Sequence, residues 1–317
     1  MIKQVLSFIA LSSLVSGCAY QIENKTTEKV VTPTSHTYIE VKPSSVPEEY
    51  VKITQGWIHP DCVYHVAPDE VVQNDHITGP QGERAMPPCP HPRFDKTGHI
   101  VRPQEVYWAW YEWSGEVFST PLSFIRGEWN VPYGEVTAQG YFPTPNPSFW
   151  TGMDNPTEDR VIQSVLCYNW QIVSEDCCPG NNAAFGNFVD VSGGDTIVGR
   201  VIGSDCDSGI CSSYTIYTLD ATSGQESVLT TSPGMTFTRA LGAVFEIAEL
   251  EVCAQLPADG IIVFKDIEVE NTNHKWPSLA GFVPHTDTTD SPSCDLSVGQ
   301  SWNSSTLQES VWLYWSN

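Results

Sequence analysis

From about residue 107 onward the chain breaks into short apolar stretches separated by Gly, Pro, Asn or Asp at intervals of roughly ten residues. Stretches so short and so often punctuated leave no room for amphipathic helices, and no sustained 3.6-residue pattern runs through them. The spacing predicts an all-β domain, a sandwich or barrel, with strands over 106–113, 124–131, 148–153, 160–167, 187–191, 196–202, 213–220, 226–231, 240–252 and 261–270. Spending on Gly, Pro, Ser, Thr, Val, Trp and Tyr agrees with strands joined by turns.

In such a sandwich successive side chains alternate between faces, so a lone polar residue on an otherwise apolar face is informative. Gln163 is the polar member of the set Val161, Gln163, Val165 and Cys167. Glu246 is the charged member of the set Val244, Glu246, Ala248, Leu250 and Val252. A carboxylate placed among apolar side chains is costly unless it is paired, protonated or lining a wet cleft, and such positions concentrate at functional sites. Glu249 lies an odd number of residues from Glu246, so in a regular strand it points the other way.

The N-terminus carries a different kind of signal. Met1-Ile-Lys-Gln, the apolar run Val5 to Val15 and then Ser16-Gly17-Cys18 have the form of a secretory signal with a lipobox-like end, too short to span a bilayer permanently. We expect residues 1–17 to be removed and Cys18 to be lipidated, anchoring the chain to a membrane. Incorporation of a palmitate analogue should then depend on Cys18. Ala19, rather than Asp, points to the outer membrane of a bacterium. Residues 18–50, rich in Thr, Ser, Pro and charge, read as a flexible tether, 51–105 as a loop-rich extension, and 106–317 as the sandwich domain. The 317 residues carry 15 basic and 38 acidic side chains, a net charge of −23, which excludes a nucleic-acid partner. We expect a monomer.

An exported chain can oxidise its cysteines. Cys206 and Cys211 enclose only four turn-forming residues and are expected to bridge. Pairing of Cys62 with Cys89 and of Cys253 with Cys294 is left open by spacing alone. His59-Pro-Asp61-Cys62-Val-Tyr-His65 contains zinc-ligand types, but no CxxC accompanies it and the histidines lie six residues apart. His91 and His99 stand in a Pro-rich stretch with no regular ligand spacing, so neither a metal nor another cofactor is expected.

Several segments resemble the glutamic peptidases, or eqolisins. Phe124-Ile-Arg-Gly-Glu-Trp-Asn-Val-Pro132 resembles an early strand of that family ending in an aromatic, one residue and Val-Pro. Trp150-Thr-Gly-Met-Asp154 followed by Val161-Ile-Gln-Ser164 resembles its W-x-G-x-D segment and the strand bearing its catalytic Gln. Ser192-Gly-Gly-Asp195-Thr-Ile resembles its S-x-G-D-x-I turn, and Ala243-Val-Phe-Glu246 its W-I-V-E strand. Ala109-Trp-Tyr-Glu-Trp113 copies an element that in the family follows the Gln strand, whereas here it precedes it.

The resemblance implies a concanavalin A-like, two-sheet antiparallel β-sandwich and an acid-active, metal-independent endopeptidase acting on a peptide or protein. In it Glu246, or alternatively Glu249, would be the general base and Gln163 the oxyanion donor, with Trp150 and Asp154 lining the cleft. An ordinary Glu titrates at about 4.3, which suits a carboxylate base to mildly acidic conditions. The implied chemistry requires Gln163 and Glu246 to share one solvent-accessible water at roughly 2.6 to 3.2 Å. A non-catalytic lipoprotein binding carbohydrate or peptide on the same fold is the alternative from another class.

Overall fold

The computed structural model describes residues 42–53, 56–94, 98–101, 110–133, 147–155, 157, 160–167, 170–207, 209–246, 253–286 and 294–316. Cys18 and Glu249 lie outside them, as does Trp108. Among the described residues no helix is long and apolar enough to cross a membrane.

Two large sheets pack face to face. Ten strands form one, in the spatial order 297–303, 308–314, 261–271, 122–130, 196–204, 213–220, 226–231, 71–72, 76–79, 82–85. The other contains Val283–Thr286, Trp110–Val117, Arg239–Glu246, Ser148–Asp154, Val161–Cys167, Gln171–Cys177, Ala183–Phe185 and Val63–His65 in that order, with Val189–Asp190 beside Gln171–Cys177. The pairings are antiparallel except where the extension joins. An all-β sandwich is therefore what this sequence folds into.

The core between the sheets follows from side-chain alternation. Phe149, Met153, Ile162, Leu166, Ile172 and Phe245 from the second sheet meet Ile125, Trp129, Ile197, Val201 and Ile216 from the first. Close approach of the sheets has a local requirement at Gly199, where an added Cβ would fall 2.7 Å from Ser164 Cβ and 2.8 Å from Thr151 Cγ2. The opposite face of the second sheet is apolar as well. Trp150, Val161, Val165, Cys167, Val173, Cys177, Leu241 and Val244 form a second cluster with Ile58 and Cys62 of the extension. Ser148–Asp154, Val161–Cys167 and Gln171–Cys177 are thus buried on both faces.

The extension departs from the expected layout. Val63–His65 pairs in parallel with Ala183–Phe185, and Val71–Val72 in parallel with Thr230–Thr231, so this segment adds strands to both sheets. Residues 42–50, placed by composition in the tether, already pack. Val46 and Tyr50 are buried, and Lys42 Nζ donates to the Glu48 and Tyr50 carbonyls at 2.6 Å. Apolar side chains within that polar stretch find partners on Trp57 and Phe94, which outweighs its composition.

The Cys206–Cys211 bridge is present around an Asp207 to Ile210 β-bridge. Cys62–Cys89 and Cys253–Cys294 also form, resolving the pairings that spacing left open. Cys177 and Cys178 are joined to each other, and Arg93 Nη1 of the extension donates to Cys178 Sγ at 2.9 Å.

Candidate functional site

Gln163 and Glu246 lie on the same face of the second sheet, because they pair with Gly152 and Ser148, which share a face of one strand. Four residues of the Ser148–Asp154 strand set the rows across that face. Gly152 aligns Leu241 on one side with Gln163 on the other, and Gln163 in turn faces Glu175. Trp150 aligns Val244 with Val165, and Ser148 aligns Glu246 with Cys167. Gln163 and Glu246 are therefore two strands and four residues out of register, a Cα separation of about 16 Å at ordinary strand spacing. Trp150 occupies the row between them.

Each has its own partner. Gln163 Nε2 donates to Glu175 Oε2 at 2.8 Å, and Gln163 Oε1 has no hydrogen-bond partner among the described residues. Trp150 Nε1 donates to Glu246 Oε2 at 2.9 Å. Gln163 is 1% exposed and Glu246 0%. The expected geometry, one solvent-accessible water held by both, is thus not the arrangement found. The apolar side chains of the extension close over a face that sequence reasoning treated as an open cleft.

Asp154, at the next row, accepts from Arg239 Nη1 at 2.9 Å. Trp113 lies in register with Val244, and His285 with Trp113. Their rings stack with centroids 3.8 Å apart and planes 11° from parallel. His285 is exposed and Trp113 half-buried, so the face opens toward solvent at this end. Burial, and then the charge of Arg239, hold the His285 imidazole below its ordinary pKa.

Glu175 is the residue that sequence reasoning missed. The signal was available: on the face made by Gln171, Val173, Glu175 and Cys177, Glu175 is the lone carboxylate. Burial pushes its carboxyl up to about 7, the Gln163 amide opposing and the Asp176 charge adding to the effect. Below that pH a neutral Glu175 can donate its O–H to Gln163 Oε1 after an amide flip, which would turn both Gln163 N–H groups toward the face.

Other acids shift the same way. Burial raises Glu112 to about 9 and Glu309 to about 7, with backbone amides opposing in part. A carboxyl whose folded pKa exceeds its unfolded value favours the fold while protonated. That contribution is complete below the unfolded value, about 4.5, and is lost as pH rises through about 7 and then 9. Thermal unfolding should therefore occur at a higher temperature at pH 5 than at pH 8, and Glu112→Gln should shrink the difference. An equal or lower midpoint at pH 5 in the parent would contradict these shifts.

No family profile and no curated relative matches the chain. Among solved structures, it is similar to scytalido-glutamic peptidase bound to a transition-state analog inhibitor, at 15% identity and a TM-score of 0.45 over 66% of this chain and 98% of that one. It is also similar to SCP-B, a member of the eqolisin family of peptidases in complex with the tripeptide Ala-Ile-His, at 15% identity and a TM-score of 0.42 over 66% of this chain and 99% of that one.

Proposed function

We propose that the chain is a glutamic-type endopeptidase that works in mild acid, carried on a bacterial outer-membrane lipoprotein anchored through Cys18. The observation that carries the reading is the polar set on one sheet face. Gln163 is oriented by Glu175, Glu246 is held by the Trp150 indole, and a stacked Trp113–His285 pair lies on the strands beyond Glu246. The sequence resemblance at Trp150 to Asp154, Gln163 and Glu246 supports the same reading.

In this chemistry Glu246 takes a proton from water as the oxygen attacks the peptide carbonyl. An N–H of Gln163 stabilises the resulting oxyanion, a kind of contact worth roughly 3 to 4 kcal/mol. Glu246 then returns the proton to the departing amine, which balances the hydrolysis. Because Ile58 and Cys62 pack on this face and Trp150 fills the row between Gln163 and Glu246, this chemistry requires both the extension and the Trp150 indole to move.

A peptide- or glycan-binding lipoprotein is the second reading, favoured by the near-complete burial of Gln163 and Glu246. Hydrolysis of an unfolded protein substrate between pH 3 and 7, with EDTA present, separates the two. Cleavage strongest in the acidic half of the range is expected; absence of cleavage at every pH would overturn the peptidase reading in favour of the binding protein.

A further inference from the structure

The extension brings together three side chains that the catalytic reading does not use. His59 and Asp61 flank Pro60 at the start of a short 3-10 turn, and His91 arrives from the segment beyond the Cys62–Cys89 disulfide. In the sequence His59 and His65 lie six residues apart, a spacing that pointed to no metal site. The fold instead sends His65 to Phe185 and puts the His91 ring against that of His59, centroids 3.6 Å apart and planes 14° from parallel. Asp61 Oδ2 lies 3.5 Å from His59 Nδ1 and 3.9 Å from His91 Nε2. One ligand atom from each of the three residues falls within 4.8 Å of those of the other two.

We propose that His59, Asp61 and His91 bind a divalent transition-metal ion of the zinc class. Two imidazoles and one carboxylate make a donor set suited to zinc or copper and poorly suited to calcium or magnesium. Tetrahedral zinc with ligands at 2.0 to 2.1 Å places neighbouring donor atoms about 3.4 Å apart. The two measured Asp61 separations, 3.5 and 3.9 Å, lie within half an ångström of that value.

The supports are asymmetric. His59 is held on one side by the edge of the buried Tyr50 ring, centroids 5.4 Å apart, while the Asp61 side chain is 77% exposed and free to close. The disulfide ties residues adjacent to Asp61 and two positions before His91, which limits how far the ligands can separate. The Asp61 backbone N–H donates to His59 Nδ1 at 3.2 Å; a bound ion replaces that weak donor, and the stacked rings splay so that both lone pairs converge. A chain of net charge −23 also concentrates cations near its surface. Three protein ligands leave a fourth position to water.

The test is calorimetric titration of the tag-free protein with Zn2+ at pH 7.5, alongside NMR of the histidine rings. One strongly bound ion per chain is expected, with the His59 and His91 ring signals perturbed. His91→Ala, at a half-buried position, and Asp61→Asn, at an exposed one, should each weaken binding at least about tenfold, since even the loss of an outer-shell partner does as much. Ca2+ should not compete. Unchanged zinc affinity in His91→Ala, or no binding by the parent, would overturn the site. Neither outcome bears on peptide hydrolysis, which does not pass through these residues.

Discussion

Replacement of Glu246 by Gln should reduce peptide hydrolysis at least about a hundredfold, the scale expected when a general base is removed. Gln keeps the acceptor for the Trp150 indole, which donates to Glu246 Oε2 at 2.9 Å, so the fold should survive the change. Gln163→Ala should cost a comparable factor by removing the oxyanion donor and leaving Glu175 buried without its amide partner. Glu249→Gln should retain activity if the strand continues in regular alternation past Glu246. Initial rates on a quenched peptide check all three. Loss confined to Glu249→Gln would transfer the base to that residue, and a parent-like rate in Glu246→Gln would remove Glu246 from the chemistry.

The largest stability effect should come from Arg160→Met. Arg160 Nε and Nη2 donate to the two carboxylate oxygens of Asp176 at 2.9 and 2.6 Å, Nη2 also reaches Thr231 Oγ1, and Nη1 donates to Asn74 Oδ1 at 3.0 Å. Arg160 is 3% exposed and Asp176 0%. Removing one partner of a buried, hydrogen-bonded ion pair strands the other charge and costs about 3 to 5 kcal/mol. Because Asn74 belongs to the extension and Thr231 to the first sheet, the same change loosens the join between them. Urea unfolding measures the loss. A second change, Asp176→Leu in the same chain, should recover much of it, whereas a cost below about 1 kcal/mol for Arg160→Met alone would show that the network is not desolvated.

The legible strands were those with clean alternation and clear turns. The spans 213–220 and 226–231 coincide with the observed Ser213–Asp220 and Glu226–Thr231, because one face of each is buried and the other partly exposed. Of the strand expected over 106–113, residues 106–109 lie outside the described residues; the described part runs on past 113 to Val117, since the ladder continues through Ser114 and Gly115, which carry no strong strand preference. Gln171–Cys177 was missed for the opposite reason. It is buried on both faces yet carries Gln171, Ser174, Glu175 and Asp176, and hydrogen bonds rather than apolar side chains accommodate them. Ser297–Asn303, built from Ser, Gly, Gln and Asn with one Val and one Trp, has little apolar character to read.

The site was legible in part. Parity marked Gln163 and Glu246 each as the lone polar residue on its own strand face, and the pairing of both strands with Ser148–Asp154 puts the two on one face of the sheet. What parity could not supply was the parallel pairing of Val63–His65 with Ala183–Phe185, a contact across more than a hundred residues that brings the apolar cover onto that face. His59 and His91 meet for a similar reason, through a disulfide whose pairing spacing left undecided. Non-local closure, rather than local propensity, separates the sequence reading from the fold in both cases.

The most direct measurement is a crystal structure of the protein with a non-cleavable peptide analogue at acidic pH. The peptidase account predicts that Ile58 and Cys62 have moved off the sheet, and that an oxygen of the analogue or a water lies within roughly 2.6 to 3.2 Å of both the Gln163 amide and the Glu246 carboxylate. An analogue bound elsewhere, with Gln163 still sealed against Glu175 and Glu246 still sealed against Trp150, would contradict it.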